Sequence, residues 1–392
     1  MGKEVRIVIL QPVMNWIYGA EFDIRSYVKD FWAIALGKHK RPQAEYPGQS
    51  KRGLDRKKIA IVAIYPNSTA ADFSIVHLLK SLQDCGFWVL VISTLKLSQE
   101  QREKFGLHCN HVIERHGIGR DFASYKMGWN WLNRSNDLKD AEYLVLANDR
   151  MFYPAGFSKH IRQIIAAHYS WGTLFENFER HYHSQSFFQI FGKEVFASKV
   201  FHRFWSSYWP FSTRAHAIDR GEVSLSSALL KGKFYPQALF RSDLISADAV
   251  AGLSKPNSER LVFAIKHALD LTSITARRFG DLNFTTQERS VFDLKSYKRE
   301  ARLELAQQIA TVAEFRNPTH RIGVLCNVLY GAPLKRDLVY RGTFEIGTLL
   351  LASTAFSEIE KQSIRDDLVS KGSPQSLAHS YRLMSLYRSS RI

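Results

Sequence analysis

The chain has 392 residues, 45% of them apolar, which is enough for one large domain and a smaller one and too apolar for a chain disordered throughout. Lys and Arg number 54 against 37 Asp and Glu, a formal charge of +17, and such a surplus points to an anionic partner: nucleic acid, a membrane face or a phosphorylated substrate. Cys85, Cys109 and Cys326 are odd in number and contain no CxxC pair, which excludes a disulfide framework and a cysteine zinc site and fits a reducing cytoplasm.

No window reaches the roughly 18 apolar residues of a spanning helix. The start, MGKEVRIVILQPVMNW, has no secretory h-region with a cleavage site, and Arg6 stands where myristoylation needs Ser or Thr. Any membrane contact is therefore expected to be peripheral. Residues 1–56 divide into an aromatic amphipathic stretch, NWIYGAEFDIRSYVKDFWAIAL, and a Lys-, Arg-, Gly- and Pro-rich run that reads as a basic linker. Within 15–41, Trp16, Tyr18, Phe22, Phe31 and Trp32 stand beside Lys38, Lys40 and Arg41. That composition suits a lipid headgroup boundary or, equally, a helix packed on the following domain.

From residue 57 strands and helices alternate. KIAIVAIY (58–65), FWVLVIST (87–94), HVIER (111–115) and AEYLVLAND (141–149) read as strands, separated by ADFSIVHLLKSLQDCG, KLSQEQREKFG and RDFASYKMGWNWLNRS as helices. This rhythm predicts a mostly parallel sheet flanked by helices, with right-handed crossovers, across a domain spanning 57–245. Beyond residue 150 the pattern changes. GFSKHIRQIIAAHY, KEVFASKVFHRFWSSYW and GEVSLSSALLKGKF read as helices, SWGTLFE and SFFQIF as strands, and 246–392 as a helical region carried by ERLVFAIKHALDL, DLKSYKREARLELAQQIATVAEF and SLAHSYRLMSLYRSSRI.

In such a sheet ligands gather at the carboxyl ends of the strands. Three polar loops are expected there: Tyr65 to Ser68, Arg115 to Asp121, and Asn148-Asp149-Arg150. In the second, Gly117 and Gly119 allow close backbone approach, and Arg120 and Asp121 open the next helix. The free N–H groups there favour a phosphate, with Arg115 or Arg120 adding charge-assisted bonds. The competing structural role makes Asp121 an N-cap and the glycines turn formers. Asp149 ends an apolar strand, where its carboxylate would coordinate a hard cation bridging two phosphates or simply close a turn. His181 and His183 lack zinc-site spacing and suit, with Gln185, a hydrogen-bonding edge for a sugar or phosphate. Glu222 fits a general base on an acceptor hydroxyl, or a first-turn acid favoured by a helix dipole.

Taken in order, AIYPNS, ERHGIGRDFASYKMGWNWL, YLVLANDRMFYP, WGTLFE, YHSQSFFQIF with the FxxFW that follows, and GEVSLSSALLKGKF resemble the rhamnan synthesis F family of bacterial cell-surface polysaccharide assembly, over about residues 57–240. NPTHRIGVLCNVLYGAPLKRDLVYRG (317–342) is similar to a C-terminal element found in such proteins. The resemblance implies a GT-A-like (Rossmann-like) fold and a glycosyltransferase taking a UDP- or dTDP-sugar. The sugar would pass to a lipid-linked oligosaccharide acceptor in O-antigen or lipopolysaccharide synthesis, with the protein peripheral at the inner face of the bacterial cytoplasmic membrane and touching its anionic surface. By position it assigns Gly119, Arg120 and Asp121 to the nucleotide side of the donor. It sets Asn148 and Asp149 on the family's Asn-Asp-Ser, where Asp149 would hold Mg2+ or Mn2+. Arg150 departs from the Ser usual there, leaves the acidic motif incomplete, and offers a guanidinium to the diphosphate in place of the cation. An inverting single displacement with Glu222 as base is the expected mechanism. Two other classes compete: a non-catalytic scaffold of a polysaccharide-assembly complex, which Arg150 favours, and a basic nucleic-acid-binding protein, which the charge favours but no binding motif supports.

Overall fold

The structure is a computed structural model that describes residues 2–178, 181–253, 317–321, 323–340 and 353–370, with isolated positions at 261, 264, 347, 350 and 351. The chain opens with helix α1 (Gly2–Ala35) and strand β1 (Pro42–Pro47). It then alternates through β2 (Lys58–Ile64), α2 (Asp72–Asp84), β3 (Trp88–Ser93), α3 (Gln99–Gly106), β4 (His111–Arg115), α4 (Arg120–Arg134) and β5 (Tyr143–Asn148). There follow β6 (Met151–Phe152), α5 (Ser158–Ala166), β7 (Trp171–Thr173), β8 (Glu176–Asn177), β9 (His183–Ser184) and β10 (Phe188–Gly192). Helices α6 (Lys193–Phe196), α7 (Lys199–Ser207) and α8 (Arg214–His216) lead into a π-helical turn, Ala217–Val223, then α9 (Ser224–Lys231), β11 (Gln237–Ala238) and α10 (Ser242–Leu253).

The main sheet runs β1-β4-β3-β2-β5-β10-β7-β11. β4, β3, β2 and β5 are mutually parallel, whereas β10 lies antiparallel to both β5 and β7. β2 and β3 are covered on both faces, which is why they read as unbroken Val/Ile/Ala runs rather than alternating ones. One face carries Leu78, Leu79, Phe105 and Ile161 from α2, α3 and α5. The other carries Tyr125, Trp129, Leu132, Trp205 and Leu225 from α4, α7 and α9.

The chain lays β2, β3 and β4 in one direction and then returns past β2 to add β5 on its other side. That reversal opens a crevice above the carboxyl ends of β2 and β5. The expected mostly parallel α/β sheet is therefore present, and the Tyr65 and Asp149 loops meet at its switch point.

Two local expectations differ. Residues 42–47 are not linker: β1 pairs antiparallel with β4 at the sheet edge, where its flanking prolines cost no ladder bond. Its pairing is reinforced by Glu45, which accepts from Trp131 Nε1 at 2.8 Å, and by Tyr46, which donates to Glu114 at 2.9 Å. The run from 193 to 209 is two helices, because the Ser198 hydroxyl caps the second by accepting the Phe201 N–H at 3.2 Å. The helices expected over 259–271, 293–315 and 376–392 lie, apart from positions 261 and 264, outside the described residues.

Part of helix α1 packs on the domain that follows. Asp30, 3% exposed, accepts the Ser212 N–H and, at 3.0 Å, the Ser212 hydroxyl, while the Tyr27 ring meets Phe211 at 5.0 Å. Its other side leaves Ile24, Val28, Phe31, Trp32 and Leu36 bare. No helix among the described residues is long and apolar enough to cross a membrane.

Helix α4 lies directly on β2, since a Cβ at Gly128 would stand 2.7 Å from the Ile61 side chain. Gly128→Val is expected to destabilise the protein by about 1–3 kcal/mol through overpacking, read as a lower midpoint in urea unfolding. An unchanged midpoint would show that α4 is not held at this distance.

Candidate active site

The loop between β4 and α4 is shaped by one buried charge. Arg115, 1% exposed, turns its guanidinium into the loop and donates to the carbonyls of His116 (2.7 Å), Ile118 and Arg120, and through Nε to Ser124 Oγ at 2.8 Å. Burial pushes its pKa down to about 10, with Asp121 pulling the other way, so it stays charged at neutral pH. Arg115 is thus engaged internally and is not the phosphate ligand its position suggested.

Gly119 and Arg120 both adopt left-handed backbone, with φ of 77° and 52°. At Gly119 a side chain is also excluded by space, because a Cβ would lie 2.5 Å from Pro210. The Gly119 N–H donates to Ser212 Oγ at 2.9 Å, which joins this loop to the Asp30 contact of α1. Arg120 is non-glycine in a costly conformation, and the Arg115 bond to its carbonyl helps hold it there. Asp121 is not the N-cap of α4, a position taken by Gly119.

Instead Asp121 reaches the end of β5. Its Oδ2 accepts from Asn148 Nδ2 at 3.2 Å and from Arg150 Nε at 3.4 Å. Asp149, 4% exposed, accepts the Tyr65 N–H at 2.7 Å and so ties β5 to β2 across the switch point. The backbone carbonyl of Asp149 accepts from Arg336 Nη1 at 3.1 Å. Sequence order therefore brought Gly119, Arg120, Asp121, Asn148, Asp149 and Arg150 to one place.

A tyrosine joins this group to the second half of the cleft. The Tyr125 hydroxyl donates to the Ser186 carbonyl at 2.9 Å, and its environment includes Asp121, Asn148 and Glu222. Burial, then Asp121, raises its pKa and keeps the phenol protonated. Glu222 sits in the π-helical turn, not in the first turn of α9, and that turn packs on α4 where Gly221 faces the Phe122 ring. Such single π turns recur at functional sites. Oε1 of Glu222 accepts both the N–H (3.1 Å) and the hydroxyl of Ser186, and Oε2 lies 3.8 Å from His183 Nε2. The His183 ring donates Nδ1–H to the His181 carbonyl at 2.7 Å, which turns Nε2 toward the carboxylate. Gln185 is buried and turned to Asn317 at 3.1 Å, with its Oε1 unpartnered. It shares the buried polar patch beneath Glu222 rather than the Asp121 cluster.

Several members were missed by inspection. Arg336 comes from the C-terminal element, whose β12 (Leu334–Lys335) pairs with β6 and so is carried to the end of β5. Its Nη2 forms a bidentate pair with Asp367 at 2.8 Å. Arg214 pairs with Asp337 at 3.5 Å, and Arg214, Arg150 and Asp337 all act on the charge of Arg120. The PLKRD run was a usable signal; Tyr125 and Ser186 carried none. Among the described residues no three His, Cys, Asp or Glu side chains gather as a metal-ligand set.

Comparison with known proteins gives distant relatives. An uncharacterized protein of Sinorhizobium fredii (strain NBRC 101917 / NGR234), y4gN, is 25% identical over 213 residues, covering 50% of this chain and 53% of its own. The chain therefore spans about half the length of that curated relative. Among solved structures, a 4-diphosphocytidyl-2C-methyl-D-erythritol synthase from Anaerococcus prevotii DSM 20548 aligns at 10% identity and a TM-score of 0.30, over 48% of this chain and 88% of that one. The mannosyltransferase PcManGT from Pyrobaculum calidifontis, in complex with GDP-Man and Mn2+, aligns at 11% identity and a TM-score of 0.28, over 93% of this chain and 100% of that one. The family model of rhamnan synthesis protein F matches residues 89–254, the stretch that holds every candidate site residue from Gly119 to Glu222.

Proposed function

We propose that this chain is a glycosyltransferase of GT-A-like build that moves a sugar from a nucleotide-sugar, a UDP- or dTDP-sugar, to a hydroxyl of a lipid-linked glycan in bacterial surface-polysaccharide synthesis. The observation that carries this reading is the meeting of the Gly119-Arg120-Asp121 loop with Asn148-Asp149-Arg150 at the switch point, with Glu222 linked to both through Tyr125 and Ser186. An α/β crevice of this kind suits a nucleotide, and the family match supports a role in polysaccharide assembly.

In this reading Gly119, Arg120 and Asp121 hold the nucleotide side of the donor, and the Asn148 to Arg150 loop faces its diphosphate. Ser186 fixes Oε1 of Glu222, and Oε2 serves as general base. His183 lies beside that oxygen and supports its orientation. The acceptor hydroxyl loses its proton to Glu222, its oxygen bonds to the anomeric carbon, and the bond to the diphosphate breaks with its electron pair leaving on the nucleoside diphosphate. A displacement from the opposite face inverts the anomeric carbon. The reaction would take place at the inner membrane face, where the bare Ile24, Val28, Phe31, Trp32 and Leu36 side of α1 rests on anionic lipid.

Glu222→Gln keeps an acceptor for the Ser186 N–H and should fold normally, yet transfer from the active donor should fall by about 10²–10⁴. Product NMR giving retained configuration would remove Glu222 from the base role. Asp149→Asn likewise keeps the Tyr65 bond, and transfer should fall severely without loss of thermal stability; full activity would take the Asp149 charge out of the site. Joint replacement of Phe31 and Trp32 by Glu should abolish co-sedimentation with phosphatidylglycerol vesicles. Unchanged binding would mean α1 makes no membrane contact.

A further inference from the structure

The cleft that holds the diphosphate in the reading above is poor in free carboxylate and rich in guanidinium. A divalent cation bridging two phosphates needs hard oxygen ligands from the protein. Asp149 Oδ2 already accepts the Tyr65 N–H and lies 4.0 Å from Arg336 Nη1. Asp121 is bonded to Arg150 and Asn148, and Asp337 is paired with Arg214. Asp121, Asp149 and Asp337 therefore each have a guanidinium beside them, and these residues do not fit a Mg2+ or Mn2+ site.

The donors point the other way. Arg150 at the end of β5, 39% exposed at its side chain, commits Nε to Asp121 and is open to solvent beyond it. Arg214 at the start of α8 commits Nη2 to Asp337, while its Nη1 is buried with no partner. Arg336, nine-tenths buried beside Asp149, likewise has an unpartnered Nε. Arg120 feels the same charges: burial first, then Arg150 and Arg214, push its pKa down to about 10, with Asp121 and Asp337 pulling the other way. The buried, unpartnered N–H donors of Arg214 and Arg336 would be satisfied by an oxyanion.

We propose that Arg120, Arg150 and Arg214 bind the donor's diphosphate directly, so that the enzyme takes its nucleotide-sugar and releases the nucleoside diphosphate without a divalent cation. This rests on the transferase reading. The electron pair of the breaking anomeric C–O bond passes to the diphosphate oxygen, and the guanidinium fork stabilises that charge in place of a metal. Arg336 positions the loop through the Asp149 carbonyl.

Titration calorimetry of the full chain in EDTA with inorganic pyrophosphate, UDP, dTDP and GDP tests this. Binding of pyrophosphate and of one nucleotide is expected in EDTA, with affinity unchanged on adding Mg2+ or Mn2+. Arg150→Gln and Arg214→Gln should each weaken it by about tenfold or more, and Arg150→Lys, which keeps the charge and loses the fork, by less. Unchanged thermal midpoints identify the losses as local. Binding or transfer that appears only with a divalent cation overturns the arginine site and leaves the transferase reading standing. Cation-free, Arg150-dependent pyrophosphate binding with no response to any nucleotide or nucleotide-sugar keeps the arginine site and overturns the transferase reading.

Discussion

The guanidinium of Arg115 is the interaction on which the cleft depends. A buried cation is tolerated only when its donors are satisfied, and here they are satisfied by the carbonyls of the loop that follows it, at His116, Ile118 and Arg120. One side chain at the end of β4 thus folds the β4–α4 connection around itself. That wrapping holds Gly119 and Arg120 in left-handed backbone and starts α4 with Asp121 facing β5. Losing the guanidinium would leave three carbonyls in want of donors, each worth roughly 1–3 kcal/mol when buried. The strain at Arg120 would then have no restraint from this side.

A second constraint lies across the switch point. Asp149 closes β5 onto β2 through the Tyr65 N–H, so a residue proposed for chemistry also holds the crevice at its working width. Tyr125 performs a comparable task between the halves, reaching from α4 to the Ser186 carbonyl while Ser186 fixes Glu222. The network runs from Arg150 through Asp121, Asn148, Tyr125 and Ser186 to Glu222. It is held together by side-chain hydrogen bonds, which is what a preorganised polar site requires.

Much of this was legible in the linear chain where the signal is local. The strands β2, β3 and β5 are buried on both faces and therefore announce themselves as apolar runs, and the loops after them fall at the sheet edge by the geometry of parallel strands. β1 was not legible, because an edge strand needs no apolar face and its two prolines imitate a linker. Arg115 read as a phosphate donor because an arginine in a loop at the sheet edge suits one; its internal role depends on carbonyls presented only once the loop has formed. Arg336 lies 187 residues beyond Asp149, and its place follows from β12 pairing with β6, a long-range event with no periodic trace in two-residue strands. Glu222 was singled out by its neighbours in the sequence, whereas the π turn that turns it toward Ser186 left no signal there.

The central claim is that one crevice, framed by the Tyr65, Gly119 and Asp149 loops, receives an activated nucleotide. Hydrogen–deuterium exchange of the full chain, with and without a panel of nucleoside diphosphates, measures it most directly. The account predicts slowed exchange at residues 65–68, 117–121 and 148–150 with one nucleotide of the panel. Protection confined to other parts of the chain, or none with any nucleotide, would contradict it.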